Sequence, residues 1–435
     1  MNFKELLKRY REGTATKEER LLVEKELEKY ESIEEYFSED LSDRFLQEEF
    51  PSEEEGSENN TESKESEDHP QRNDLNIKKL VNRRLRKVIL TSVIIVVLLY
   101  VTVFYGVSAV VDEMYYDPTA VTEAEEGDYP RTDFHFDMTA YVSLNMPGYA
   151  VSSFTPVVSE GFGDYELHYP LRNLFSRETT NHTVNVSRGN LTYAQGGIFK
   201  WENRADLWSG FDLIQYPGKF ESDDVSAEEA REYLEQEIER KNDITLDYLK
   251  ELNPLSYLSM HVVFEEDLSM MEFFRLSREH QNLDFKWVGI RTAPGGNRWS
   301  ENQPMHLIGF NPNSGDEPSG NSRPDPEEYP LFHLSDRWNE PIRSEEDFPE
   351  SYETHFHSRL NYLSQREEFV EIFDYNLYKL DFYKEALDYI EQEGIHTYGV
   401  VVYGTAEDFS EAIEDLPYES IYIDDVLSVN PNIYY

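Results

Sequence analysis

The stretch KKLVNRRLRKVILTSVIIVVLLYVTVFYGVSAVVDEM, from Lys78 to Met114, decides the architecture of this chain. Its middle part, residues 88–111, is a run of 24 residues without a charge. At about 1.5 Å per residue it makes a helix of about 36 Å, long enough to cross the roughly 30 Å hydrocarbon core of a bilayer. A buried core helix or a pair of strands is the alternative. It is disfavoured because a basic stretch directly precedes so long an uncharged run. We predict a transmembrane helix at 88–111.

The charges on the two sides of this run predict its orientation. Basic residues flank its N-terminal end, and acidic residues follow its C-terminal end. Loops rich in Lys and Arg stay in the cytoplasm. We therefore expect a single-pass protein of the cell membrane, with residues 1–87 in the cytoplasm and residues 112–435 outside the cell.

Composition excludes several classes of function. The chain has 435 residues, with 40 Lys and Arg against 88 Asp and Glu, which gives a net charge of −48. Such a chain repels nucleic acid, so we expect no direct nucleic-acid partner. It contains no cysteine, which excludes disulfides, thiolate zinc sites, iron–sulfur clusters and cysteine nucleophiles.

Residues 1–50 predict short amphipathic helices. The first carries an apolar stripe at helical spacing, and a capping box at Thr16–Glu19 opens the second. The apolar positions of the two helices are Phe3, Leu6, Leu7, Tyr10, Val23, Leu27, Tyr30 and Phe37. Helices this short bury too little surface to be stable alone. They form either a solvated tail or a docking module for a basic cytosolic protein. Residues 51–87 are an acidic tether, predicted to be disordered, followed by the basic juxtamembrane stretch.

Two stretches resemble a known family. They are FKELLKRYREGTATKEERLLVEKELEKYESIEEYF, from Phe3 to Phe37, and GIHTYGVVVYGTAEDFSEAIEDLPYESIYIDDV, from Gly394 to Val426. Together with the basic juxtamembrane stretch, one uncharged helix and a long acidic exterior, they resemble the membrane-bound anti-sigma factors of Gram-positive bacteria. The similar group has a sigma factor regulator N-terminal segment and a matching C-terminal domain. The zinc-containing anti-sigma class needs cysteines, so the resemblance is to the non-zinc type.

The resemblance implies a function for each part. Residues 1–50 would bind an extracytoplasmic-function-type sigma factor through the eight apolar positions of their helices and block its access to RNA polymerase. The outer domain would sense an envelope signal, and a second membrane regulator is a further partner. An acidic helix opposing the basic surface of a sigma factor fits this assignment.

The exterior predicts an α+β fold with a mostly antiparallel sheet. We expect a β-rich region at 112–220, including the run DFHFDMTAYVSLNM at residues 133–146, and an α+β domain at 221–435. The predicted elements of the latter are helices at 226–241 and 267–279, a helical region at 351–393 that divides into two helices, and strands at 256–264, 285–291 and 305–310. Residues 258–276 and 397–416 share the order strand, acidic helix start, helix, which indicates ferredoxin-like units.

The exterior carries no catalytic or cofactor motif, so we expect neither an enzyme nor a cofactor. His355 and His357 stand two residues apart in a predicted helix and point to different faces, which argues against a metal site. The loop at 293–304, with Arg298 and Trp299, is the candidate recognition loop. A net charge of −41 over residues 112–435 favours a cationic peptide, a partner protein or a mechanical state as the signal over anionic wall polymers.

Two other functions remain open from the sequence. One is a membrane-anchored surface enzyme or solute-binding protein whose N-terminus is only a tail. The other is a structural component of the cell envelope, which shares the single-pass layout. A sigma factor bound to the cytoplasmic segment would separate the anti-sigma function from both.

Overall fold

The computed structural model describes part of the chain. The described residues are 16, 71–121, 131–152, 154–195, 211, 227–293, 307–317, 322–339, 347–373 and 379–431. The eight predicted sigma-binding residues and the loop residues Arg298 and Trp299 lie outside this part. The chain divides into two compact units, residues 1–85 and residues 86–435.

The apolar run forms a helix. Helix α1 spans Gln71–Val101, a π-helical turn follows at Thr102–Val107, and the short helix α2 spans Ser108–Asp112. Within the described residues, one helical stretch, Arg84–Asp112, is long and apolar enough to cross a membrane. Its side chains are exposed from residue 84 to residue 107. A core helix would bury one face, so this exposure favours a lipid environment over the core-helix alternative.

The prediction for residues 133–146 is wrong. Residues 133–146 were expected as a strand, but Asp133–Asn145 form helix α3. Phe134, Phe136, Met138, Ala140 and Leu144 are all fully buried. A helix buried on every side shows no amphipathic period, so its local alternation of polar and apolar residues resembled a strand.

The first sheet packs beside α3 and is antiparallel. Its strands are β1 (Tyr149–Val151), β2 (Val157–Gly161), β3 (Asp164–Asn173), β4 (Thr179–Ser187) and β5 (Asn190–Gln195). The order is β1-β3-β4-β5, and β2 pairs with the other end of β3. Strand β3 alternates buried and half-buried side chains, as expected when one face covers a core.

The second sheet begins after helix α4 (Ala227–Glu251). Its elements are β6 (Tyr257–Ser269), α5 (Met270–Glu279), β7 (Asp284–Ile290), β8 (Ile308–Phe310), β9 (His396–Thr405), α9 (Ala406–Ala412) and β10 (Tyr418–Leu427). The order is β10-β6-β9-β7-β8, and every pair is antiparallel. Without β8, this is the strand order of a ferredoxin-like split βαβ unit. The two similar segments, 258–276 and 397–416, supply its two strand–helix units.

Both helices of this unit begin with a capping box. Ser269 and Thr405 are the N-cap residues of α5 and α9, and each forms a capping box with the acid three positions later. The side-chain oxygen satisfies an amide that the helix start leaves without a partner. The repeated acidic helix start seen in the sequence is this capping box.

Among the described residues, three α-helices lie between β8 and β9, where the sequence predicts two helices in residues 351–393. They are α6 (Asp347–Gln365), α7 (Glu367–Phe373) and α8 (Lys379–Glu393). One hydrophobic core joins α6–α8 and α3 to both sheets, and it includes Tyr165 of β3 and Val262 of β6. The boundary predicted near residue 220 stays a prediction.

Candidate functional site

The C-terminal end of the apolar helix is held by the tip of the β2–β3 hairpin. The Ser108 side-chain oxygen accepts a hydrogen bond from the backbone amide of Phe162 at 2.8 Å. The Asp112 carboxylate accepts one from the amide of Gly163 at 2.6 Å. We call these four residues the clasp. Through the clasp, the domain that follows the helix contacts the helix end directly, in addition to the covalent connection.

The clasp depends on a strained turn. Gly161, Phe162 and Gly163 all have positive φ, at 82°, 59° and 78°. Glycine takes this conformation without steric cost, while phenylalanine does not. The conformation of Phe162 is therefore strained, and it orients the amides of Phe162 and Gly163 toward the helix end. The Tyr165 hydroxyl of β3 forms hydrogen bonds with Asp112 and Asp117, which adds a further contact between β3 and the helix end. Burial is the main cause that raises the pKa of Tyr165, and the charges of these two aspartates raise it further.

A buried charge fixes the chain just after the helix. Asp137 on α3 is fully buried and accepts four hydrogen bonds. The Tyr116 hydroxyl donates at 2.6 Å and the Tyr362 hydroxyl at 2.9 Å. Arg366 donates from Nε at 2.7 Å and from Nη2 at 3.0 Å. Helix α3, the end of α6 and the juxtamembrane residue Tyr116 thus meet at one carboxylate.

The pKa shifts in this cluster follow from burial and charge. Burial raises the pKa of the Asp137 carboxyl, while the Arg366 charge and the tyrosine hydroxyls act in the opposite direction. Burial lowers the pKa of Arg366, but the Asp137 charge, the neighbouring Tyr362 and the hydrogen bonds to Asp137 together outweigh burial, so the Arg366 pKa is raised. Arg366 therefore stays charged and holds the carboxylate in place.

An acidic cleft of about 980 Å³ opens beside the clasp. Its acidic lining residues are Asp112, Glu113, Asp117, Asp133, Glu367, Glu368 and Glu371. Arg366 is the basic residue of the lining, and it is engaged by Asp137 and Asp133. The cleft repels anions, in line with the expectation from the net charge of the exterior.

A second network of buried charges connects the two sheets through Asp316, whose backbone carbonyl accepts a hydrogen bond from Arg172 of β3 at 2.9 Å. Arg359 of α6 pairs with Glu317 at 2.6 Å and also donates to Ser143 of α3. Lys286 of β7, which is 2% exposed, pairs with Asp316 at 2.7 Å. Because each charge is removed from water, such pairs resist rearrangement. The clasp is therefore attached to a body in which the two sheets are locked together.

The structure separates the two histidines of α6, as predicted. His355 is fully buried, and its Nδ1 donates to the Leu331 carbonyl at 2.7 Å, while His357 is exposed and lies 3.4 Å from Glu391. In the described part of the chain, no group of three or more His, Asp or Glu side chains could hold a metal ion.

Sequence reasoning missed the clasp and the Asp137 cluster. The Gly161-Phe162-Gly163 triplet is a turn signal that could have marked the hairpin tip. No local pattern connects Asp137 to Arg366, because 229 positions separate them. Such a pair is visible only once the chain has folded.

The Asp112 bond can be tested by hydrogen exchange. Asp112→Ala removes a charged acceptor, and a hydrogen bond to a charged group contributes about 1.5–3 kcal/mol, so we expect about ten- to hundredfold faster exchange at the Gly163 amide. The measurement is hydrogen–deuterium exchange on the full chain in detergent. Glu113→Ala removes the same charge one residue later and should leave this amide unchanged. Equal exchange in both variants would contradict the clasp.

Comparison with known proteins supports the resemblance seen in the sequence. Residues 249–417 match the family model of the sigma factor regulator C-terminal domain. The match begins within α4 and ends just before β10, so it covers most of the ferredoxin-like unit and the α6–α8 helices. No curated protein matches. No solved structure matches either. The match assigns residues 249–417 to the sigma factor regulator C-terminal family, and it supports the resemblance of the chain to anti-sigma factor regulators.

Proposed function

We propose that this protein is a single-pass membrane anti-sigma factor that holds an extracytoplasmic-function-type sigma factor at the inner face of the membrane. The observation that carries the proposal is the sigma factor regulator match at residues 249–417. The apolar helix lies N-terminal to the matched domain, and the basic stretch before it supports a cytoplasmic N-terminus. Residues 1–50 are the sigma-binding segment, and the role is regulatory, without catalysis.

The clasp suggests how a signal passes through the membrane. The exterior domain grips the helix end at Ser108 and Asp112, and Asp137 holds Tyr116 four residues further on. A flexible linker would absorb a movement of the exterior domain, whereas this junction transfers it to the helix. We propose that an envelope signal moves the exterior domain and the helix together, which releases the sigma factor. A second membrane regulator would act at the same junction.

Replacing Leu6, Leu7 and Tyr10 together by Asp should abolish sigma-factor binding. The change puts three charges into an apolar contact in which each side chain buries about 1.5–3 kcal/mol. The full chain is co-expressed with the extracytoplasmic-function-type sigma factors of its own organism, and the membrane fraction is assayed for bound sigma factor. We expect one of them to sediment with the unaltered chain and to stay soluble with the triple variant.

The matched control places the same three charges outside the stripe. Ser57, Asn59 and Asn60, all in the acidic tether, are replaced together by Asp and should leave binding unchanged. Full binding by the triple stripe variant would refute the docking surface. Failure of the unaltered chain to retain any such sigma factor would favour a membrane-anchored surface protein instead.

A further inference from the structure

The proposed membrane span would place the hairpin tip at the outer boundary of the hydrocarbon core. If the inner boundary of the hydrocarbon core follows Lys87, about 20 helical residues reach its outer boundary near Val107. Phe104 therefore lies inside the core, close to its edge. The ring of Phe162, at the tip of the β2–β3 hairpin, packs edge-on against the ring of Phe104 at 5.9 Å between centroids. The clasp fixes the tip beside the helix just above this contact.

Backbone polar groups at the tip form hydrogen bonds within the protein, as a medium of low polarity requires. The amide of Gly161 donates to the Ser159 hydroxyl at 3.3 Å, in addition to the two amides bound by Ser108 and Asp112. The Gly163 carbonyl accepts from the Arg188 amide at 2.7 Å. A turn in water can leave such groups to the solvent, but near lipid each unmet group is costly.

The side chains around the tip suit the interface between lipid and water. Tyr105 is 71% exposed, and the Tyr115 ring lies against the Gly163 and Gly189 turns. Arg188, at the tip of the neighbouring β4–β5 hairpin, is exposed. Aromatic residues are enriched at the headgroup level of membrane proteins, where arginine also reaches phosphate groups.

We propose that the β2–β3 hairpin tip, centred on Phe162, inserts into the headgroup–acyl boundary of the outer leaflet. The inference rests on the proposed membrane span of the helix. It makes the bilayer itself a binding partner of the exterior domain. The domain is then held at two points, the helix and the tip, and it can report a change in the lipid around it.

The absence of cysteine permits a direct test with single spin labels. Phe162→Cys, Tyr105→Cys and Glu178→Cys are introduced one at a time in the full chain, labelled and reconstituted in phosphatidylglycerol–phosphatidylethanolamine vesicles. Glu178 is exposed at the opposite end of the same β3–β4 pair, which makes it the matched control. Paramagnetic relaxation by oxygen, which enters lipid, is compared with relaxation by a water-soluble nickel complex. Labels at positions 162 and 105 should favour oxygen, and the label at 178 should favour nickel.

The outcomes separate this inference from the proposed function. A lipid-exposed label at 105 with a water-exposed label at 162 overturns the insertion and leaves the membrane span intact. A water-exposed label at 105 overturns both. Glu160→Cys, at an exposed position of the same tip, decides the question if Phe162→Cys does not fold. A nickel-favouring label at 160 would then overturn the insertion.

Discussion

Arg366→Ala is expected to lower the free energy of unfolding by about 3–5 kcal/mol, because it leaves the buried Asp137 carboxylate without its counter-ion. The two tyrosine hydroxyls at Asp137 remain, but neither carries a charge. Urea unfolding of the full chain in mild detergent, followed by tryptophan fluorescence, measures the change. The loss should also loosen Tyr116 and therefore the connection to the membrane helix.

Two controls show whether the effect comes from the buried charge. Arg240→Ala breaks an ion pair with Glu237 on the exposed face of α4 and should cause no measurable change. Asp137→Asn combined with Arg366→Met removes both charges and should recover much of the stability lost in the single variant. Equal losses for Arg366→Ala and Arg240→Ala, or no recovery in the double variant, would contradict the assigned role of Asp137.

Mild acid is expected to destabilise the exterior domain. Burial lowers the pKa of His135 and His333 to about 3 and that of His261 to about 4, and it also lowers the pKa of His355. Nearby positive charges add to the effect, from Arg131 at His135 and from Arg359 at His333 and His355. Each histidine is therefore neutral in the folded chain but takes a proton below about pH 6.5 in the unfolded chain.

The sign of the dependence follows from this difference in proton binding. Below about pH 6.5 the unfolded state binds protons that the fold rejects, so each histidine lowers the free energy of unfolding by about 1.4 kcal/mol per pH unit. The loss continues until the pH approaches the folded-state pKa, about 3 for His333. Burial raises the pKa of Asp137 and Glu317, which act in the opposite direction.

A variant comparison isolates the histidines from these carboxyls. Unfolding is measured at pH 7.5, 6.5 and 5.5 for the full chain, for His333→Gln and for His357→Gln. His333→Gln should reduce the slope of stability against pH, while the exposed His357→Gln should leave it unchanged. Parallel slopes in all three proteins would refute a contribution from the buried histidine.

Local sequence patterns were sufficient to predict the elements whose formation depends on their own residues. The uncharged run at 88–111 predicts the apolar helix because length and hydropathy need no partner to be read. The two strand–helix units at 258–276 and 397–416 carry capping boxes and apolar strands, so the ferredoxin-like arrangement was also accessible. The family resemblance rested on residues 3–37 and 394–426, and the sigma factor regulator match includes residues 394–417 of these.

The features that the sequence did not predict depend on contacts between residues far apart in the chain. Helix α3 resembled a strand because burial on all sides removes the amphipathic period, and its burial depends on both sheets. The break between α6 and α7 follows Gln365, where Arg366 turns inward to Asp137. No local sequence pattern around Arg366 or Asp137 indicates the contact between them.

The apolar helix, the acidic region after it and the C-terminal domain each have a contiguous pattern in the sequence, which reflects the local physics of burial, charge or hydrogen bonding. The clasp and the Asp137 cluster have no such pattern, because their members are far apart in the sequence and acquire partners only on folding. Asp112 is one acid among 88 until the hairpin brings the Gly163 amide to 2.6 Å from its carboxylate. A hydrogen bond needs both groups in place, and that placement belongs to the tertiary structure.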